Sequence, residues 1–232
     1  MSTARRVLTQ LRRDHRTMAL LLAVPVVLMT LLRYVFDDNP LAFHRVGGPL
    51  LALFPFTTMF LVTSVSMLRE RTSGTLERLL TTRLRKVDLL LGYALAFGAV
   101  AVLQTALASA VALGPLGLDL DFPTPVVLVL AVLDALLGMS LGLFLSAFAQ
   151  SEFQAVQFLP AFVLPQLLLC GLFAPRSQMA WPLRWLSDAF PLTYAVDGMG
   201  PTAHRATDML IIAGSSLLAL GLGAATLRRQ ST

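Results

Sequence analysis

The sequence is poor in lysine, in cysteine and in charge of either sign. Lys86 is the one lysine among 18 basic residues, and it follows Arg85 in an arginine-rich stretch. A Walker-type phosphate-binding loop needs a glycine directly before its lysine, because backbone amides and that ammonium together hold the phosphates. No segment here meets that requirement, so ATP hydrolysis by this chain is excluded. Cys170 is the single cysteine, which excludes an intramolecular disulfide and a thiolate metal cluster. Charged residues make up 13% of the 232 positions, about half the share of an average soluble domain. So little charge cannot cover a water-soluble surface. What is abundant instead is apolar: 56% hydrophobic residues and a mean hydropathy of +0.74, values that also exclude disorder. The net charge of +5 would suggest nucleic acid in a soluble protein. In so apolar a chain it poses a different question, namely where along a membrane protein the arginines stand.

An apolar run of about 20 residues crosses the hydrocarbon core as a helix. Six such runs are present, near 17–36, 47–68, 89–113, 126–148, 153–174 and 209–227. Only Arg33, close to the end of the first run, and Asp134, in the middle of the fourth, are charged. The runs are continuous rather than alternating at period two, which argues against a transmembrane barrel. The expected fold is an all-α membrane protein in which residues 1–232 form a single transmembrane domain.

Arginine placement gives the orientation. Arg5, Arg6, Arg12, Arg13 and Arg16 precede the first run. Arg69, Arg71, Arg78, Arg83, Arg85 and Lys86 lie between the second and third, and Arg228 and Arg229 follow the sixth. These are thirteen of the 18 basic residues, all on one side. The positive-inside rule puts both termini and the second-to-third loop in the cytoplasm. Residues 18–35 lack a small-x-small cleavage pattern and five further runs follow, so the first is an uncleaved span rather than a signal peptide. Before it, Val7, Leu8 and Leu11 among arginines suggest a short helix lying on the inner membrane face (1–16), the alternative being a plain basic tail.

The loop after the second span is the most informative stretch. From Thr75 onward, Leu76, Leu79, Leu80 and Leu84 recur at helical spacing. Thr72 or Ser73 can cap the N-terminus, and Glu77 sits in the first turn, where the helix dipole favours an anion. The pattern predicts a short amphipathic helix on the cytoplasmic face, and the apolar stripe alone fits a helix resting on headgroups equally well.

The run Arg69-Glu70, Gly74-Thr75-Leu76-Glu77-Arg78-Leu79-Leu80 resembles the loop after the second span of type-2 ABC export permeases, a family that includes drug-resistance and polysaccharide exporters. A second stretch is similar to the outer hairpin of the same family: Gly171-Leu172-Phe173-Ala174-Pro175, then Trp181-Pro182 and Trp185-Leu186, then Phe190-Pro191-Leu192-Thr193-Tyr194. One departure is Arg83, where many relatives have proline. The resemblance implies that the loop is a coupling helix docking into a separate ATPase subunit through Glu70, Gly74, Thr75, Glu77 and Arg78. It also implies a second permease subunit, identical or homologous, with the pathway between the two. ATP and Mg would then be bound by the partner, and this chain would hold no cofactor. The expected site is a bacterial cytoplasmic (inner) membrane, multi-pass, and the expected role is export of a lipophilic or amphiphilic compound, a drug or a lipid, as in multidrug efflux and antibiotic resistance.

Other residues admit two readings. Asp134 is an intramembrane carboxylate, by default a functional candidate. Gly138, Gly142 and Ser146 follow it at intervals of four, a small-residue face suited to close helix packing that turns Asp134 into the bundle. It reads as a substrate or proton site, or as a buried carboxyl hydrogen-bonded to a neighbour such as Gln104. Phe54, Phe56, Met59 and Phe60 could line a greasy route for cargo or simply pack. Pro160 and Pro165 should kink or break the fifth span, with Gln154, Gln157 and Gln166 available for the freed backbone groups. Trp181, Trp185 and Tyr194 suggest short helices at the outer interface. A proton-coupled secondary transporter using Asp134 is the alternative function. An intramembrane enzyme is disfavoured, because His15, His44 and His204 lie outside the runs and no paired carboxylates face each other, which leaves no catalytic or metal residues to name.

Overall fold

The computed structural model describes residues 2–73, 86–120, 122–200 and 204–229. The described residues contain helices and turns and no strand. An amphipathic helix α1 (Ser2–Arg13) leads through Asp14 into the first long helix, α2 (His15–Val35). Then follow α3 (Pro40–Thr72), α4 (Lys86–Leu113) and α5 (Thr124–Leu145), the last continued by a 3-10 turn at Ser146–Phe148. The fifth crossing is composite: α6 (Glu152–Phe158), a π-helical stretch at Leu159–Val163, and α7 (Leu164–Leu169). A 3-10 turn (Arg176–Gln178), α8 (Trp181–Ala189) and α9 (Pro191–Gly198) precede the last long helix, α10 (Arg205–Arg229). Among the described residues, six crossings are long and apolar enough to span a membrane.

Sequence chemistry sets the boundaries. Asp14 caps α2, its carboxylate accepting the Thr17 amide at 3.1 Å and the Thr17 hydroxyl at 2.6 Å. Asn39 caps α3 by accepting the Ala42 amide at 3.2 Å, and Pro40 occupies the first helical position, which is why this helix starts ahead of residue 47. Its 33 residues run to about 50 Å at 1.5 Å per residue, well beyond a hydrocarbon core of about 30 Å. The fifth crossing ends at Leu169, five residues short of 174, because Gly171 takes φ +92° and turns the chain out of the helix. The interruption expected at its prolines is the π-helical stretch around Pro160. Gln166 donates its side-chain amide to the Phe162 carbonyl at 3.1 Å, and Gln154 accepts the Gln150 amide at 2.8 Å. Gln157 is exposed and takes no such part.

Helix α5 is the axis of the bundle and packs against α3, α4 and α10. Its most apolar stretch is 67% buried, whereas those of α2, the fifth crossing and α10 are each 17% buried, so these three present most of their surface outward. The contact between α3 and α5 depends on Gly138 and Gly142. A Cβ on Gly138 would overlap the Phe56 carbonyl, and one on Gly142 would overlap the Thr63 hydroxyl and the Phe60 carbonyl. The small-residue face read from the sequence therefore brings two backbones together, as small residues do between membrane helices.

Between the fifth and sixth crossings, Arg176 pairs with both Asp188 and Asp197. Burial pushes the Asp197 carboxyl above its usual range, and the Arg176 charge works against that rise. Thr193 donates to the Ser187 carbonyl at 2.8 Å and Tyr194 to the Asp188 carbonyl at 2.7 Å. Trp181 and Trp185 stand out from the surface, each 78% exposed, the placement expected of aromatic anchors.

Candidate functional site

The candidate site is the arginine-rich end of the bundle, where α3 finishes. Because α3 outruns the hydrocarbon thickness, its last turn carries Arg69, Glu70 and Arg71 clear of the apolar region. Each of the three holds a different element. The Arg69 guanidinium grips the Glu152 carboxylate through two nitrogens, at 2.7 and 2.9 Å, tying α3 to the start of α6. Glu70 receives Arg6 Nη2 of α1 at 3.4 Å, and the same nitrogen donates to the Tyr93 hydroxyl of α4 at 2.8 Å. Arg71 donates to the Ser146 carbonyl at the end of α5.

Helix α1 is therefore not simply laid on a surface. Val7 and Leu11 are buried in one cluster with Leu21, Tyr93 and Phe97, while Leu8 remains 39% exposed. Part of the apolar face read from the sequence is spent on protein packing against α4. The α1–α3–α4 junction then fixes the chain just where the loop begins. Glu70, the first coupling candidate, lies inside this junction with its side chain 14% exposed. Gly74, Thr75, Glu77 and Arg78 lie outside the described residues, as does the amphipathic helix expected from residue 75 onward.

The pathway candidates sit elsewhere. Phe56, Met59, Phe60, Gln104 and Asp134 are all at 0% exposure, enclosed within the chain. Phe56 and Phe60 stack with ring centroids 6.5 Å apart, and Met59 packs in the cluster that contains Tyr93 and Phe97. The expected hydrogen bond between Asp134 and Gln104 is not made. Gln104 donates its amide to the Thr58 hydroxyl instead, and both Asp134 oxygens are buried with no hydrogen-bond partner among the described residues. His44 lies in the first turns of α3, ahead of the apolar run, and accepts the Asp119 amide at 3.0 Å.

Sequence reasoning missed Arg6, Tyr93, Ser146 and Glu152 as members of the junction. Glu152 had a signal, as the one charged residue in the short connection 149–152 and of opposite sign to the basic loop it meets.

A bundle of six crossings among the described residues, with an amphipathic N-terminal helix clamped to the end of α3, is the setting for the family comparison. The family model described as "ABC-2 type transporter" matches residues 1–200. The chain belongs to the ABC-2 type transporter family. It is also 26% identical, over 150 residues, to "ABC transporter G family member 20" of Dictyostelium discoideum. That match covers 65% of this chain and 20% of the relative, so the chain spans about a fifth of the length of the protein it resembles. As a family member it is a multi-pass membrane component of an ABC transporter. The ABC-2 match includes the whole junction, from Arg6 through Glu152.

Proposed function

We propose that this chain is the transmembrane subunit of an ATP-driven exporter, coupled to a separate nucleotide-binding subunit that holds ATP and Mg. The observation that carries this reading is the clamp at the base of the loop. Three consecutive residues, Arg69, Glu70 and Arg71, bind α6, α1 and the end of α5, so a push on the segment after Ser73 is delivered through α3 to three other elements of the bundle at once. Family membership supports the same role. Within this reading Glu70, Gly74, Thr75, Glu77 and Arg78 form the coupling contact, with both termini in the cytoplasm as the arginine distribution favours. The membrane is a bacterial cytoplasmic one.

The pathway is proposed to run between two permease copies, identical or homologous. The outward-facing surfaces of α2, the fifth crossing and α10 supply apolar area for such pairing and for lipid contact. The complete enclosure of Phe56, Met59, Phe60, Gln104 and Asp134 supports a packing role for them in the single chain. The cargo is a lipophilic or amphiphilic compound, a drug or a lipid.

The test is assembly. The full chain is co-expressed with the nucleotide-binding subunit of its own transporter and purified through a tag on the latter. Unaltered chain should co-purify, and Gly74→Pro should lose most of the association while remaining monodisperse and helical. If Gly74→Pro and Glu77→Ala both leave assembly and transport untouched, the docking assignment is wrong.

A further inference from the structure

The polar side of α1 carries two arginines, Arg5 and Arg13, that the coupling clamp does not use. Arg5, Arg6, Thr9, Gln10 and Arg13, all on one face of α1, line a shallow cleft of about 470 Å³ that is open to the surroundings. Helical periodicity stacks Arg5, Thr9 and Arg13 on successive turns, with Arg6 and Gln10 beside them. Arg6 is committed to Glu70 and Tyr93. Arg5 and Arg13 are exposed, and neither has an ion pair among the described residues. The Thr9 hydroxyl donates to the Arg5 carbonyl at 2.7 Å and so keeps its acceptor side turned outward. None of the described residues lining the cleft is acidic.

We propose that this cleft binds the phosphate of an anionic phospholipid headgroup. A guanidinium presents a planar fork that matches two phosphate oxygens, and Arg5 and Arg13, about 12 Å apart along α1 at 1.5 Å per residue, offer two unengaged forks on one open face. The location selects the source of the phosphate. Arg13 stands two residues before His15, where the first membrane crossing begins, so the cleft lies level with the headgroups rather than in bulk solvent. The opposite face of α1 is held by Val7 and Leu11 against the bundle, which keeps the cleft turned to the leaflet's polar zone. Clusters of arginine on an amphipathic helix beside a membrane span are drawn to anionic lipid for the same electrostatic reason.

The test uses the purified full chain in neutral detergent, titrated with phosphatidylglycerol, with phosphatidylcholine and with inorganic phosphate, and bound lipid is counted by native mass spectrometry. The unaltered chain should prefer phosphatidylglycerol over phosphatidylcholine by on the order of tenfold, and inorganic phosphate should not displace the lipid. Arg5→Gln with Arg13→Gln should abolish the preference. Arg12→Gln with Arg16→Gln removes the same charge from exposed positions outside the cleft and should retain it. The unaltered chain alone keeps the proposal falsifiable if a variant fails to fold: equal binding of the two lipids overturns it. Equal loss in both double variants overturns the cleft in favour of diffuse charge, and displacement by inorganic phosphate overturns the lipid as ligand. Unchanged lipid preference in Arg5→Gln with Arg13→Gln, together with lost association of the nucleotide-binding subunit, would assign the cleft to an acidic protein surface instead.

Discussion

Arg6 and Glu70, 64 positions apart in sequence, meet at 3.4 Å where the N-terminal helix crosses the end of α3. The Tyr93 hydroxyl takes the same Arg6 nitrogen at 2.8 Å, so one guanidinium joins three helices. Removing it leaves a carboxylate with only 14% of its side chain exposed and a tyrosine at 1% exposure without their donor. Arg6→Ala should therefore destabilise the purified chain by about 1–3 kcal/mol in thermal or denaturant unfolding in detergent. Arg69→Ala breaks a pair whose side chains are 65% and 53% exposed and should change stability by no more than about 1 kcal/mol. Equal effects of the two substitutions would show that α1 is not anchored through Arg6.

At Gly142 a methyl group has no room against Thr63 and Phe60. Gly142→Ala should cost about 1–3 kcal/mol through overpacking, and Gly142→Leu should prevent a folded, monodisperse protein. Gly214, with open space at its Cβ position, is the matched control, and Gly214→Ala should be neutral or stabilising. A Gly142→Ala protein as stable as the control would contradict the close α3–α5 packing.

Hydrogen bonds from the hydroxyl and the amide of Thr17 hold the Asp14 carboxyl below its ordinary range. For a carboxyl lowered by folding, the stabilising contribution is complete above the unfolded value and is lost as pH falls through the folded one. Protection of the first-turn amides of α2 against hydrogen exchange, corrected for intrinsic rate, should thus hold steady down to about pH 4 and fall below it. Asp14→Asn, which still caps, should remove that pH dependence. Steady protection in the unaltered chain well below this range would show that Asp14 is not the cap.

Asp134 is wholly enclosed and its oxygens have no hydrogen-bond partner among the described residues. The near-isosteric Asp134→Asn should alter stability by less than about 1 kcal/mol and leave transport intact in vesicles. Loss of transport in a folded Asp134→Asn protein would return this carboxyl to the functional site and revive a proton-coupled reading.

The six crossings were legible because each is a continuous apolar run, and the Gly138–Gly142 face was legible because its spacing survives any detail of packing. Helix ends were less so. One glycine at φ +92°, Gly171, shortens the fifth crossing, and Asn39 with Pro40 lengthens the second beyond its apolar stretch. That Asp134 turns inward followed from its neighbours at intervals of four. Its missing bond to Gln104 did not, because Thr58, 46 positions away, competes for the same amide. The junction was hidden for the same reason. Arg6–Glu70 and Arg69–Glu152 span 64 and 83 positions, and no local periodicity records a partner at that distance. Four of the five coupling candidates, Gly74, Thr75, Glu77 and Arg78, fall outside the described residues and are carried by the sequence resemblance alone.

In the proposed function this chain is driven by a separate ATPase through the segment that begins at Glu70. The most direct test is cargo-stimulated ATP hydrolysis by the complex reconstituted in vesicles, with unaltered chain and with Glu77→Ala. The account predicts that the unaltered chain supports both stimulation and transport. With Glu77→Ala, both should be lost while the membrane fold and the basal hydrolysis of the nucleotide-binding subunit persist. Full stimulation and transport with Glu77→Ala, or transport that continues after ATP is exhausted at a clamped proton gradient, would contradict it.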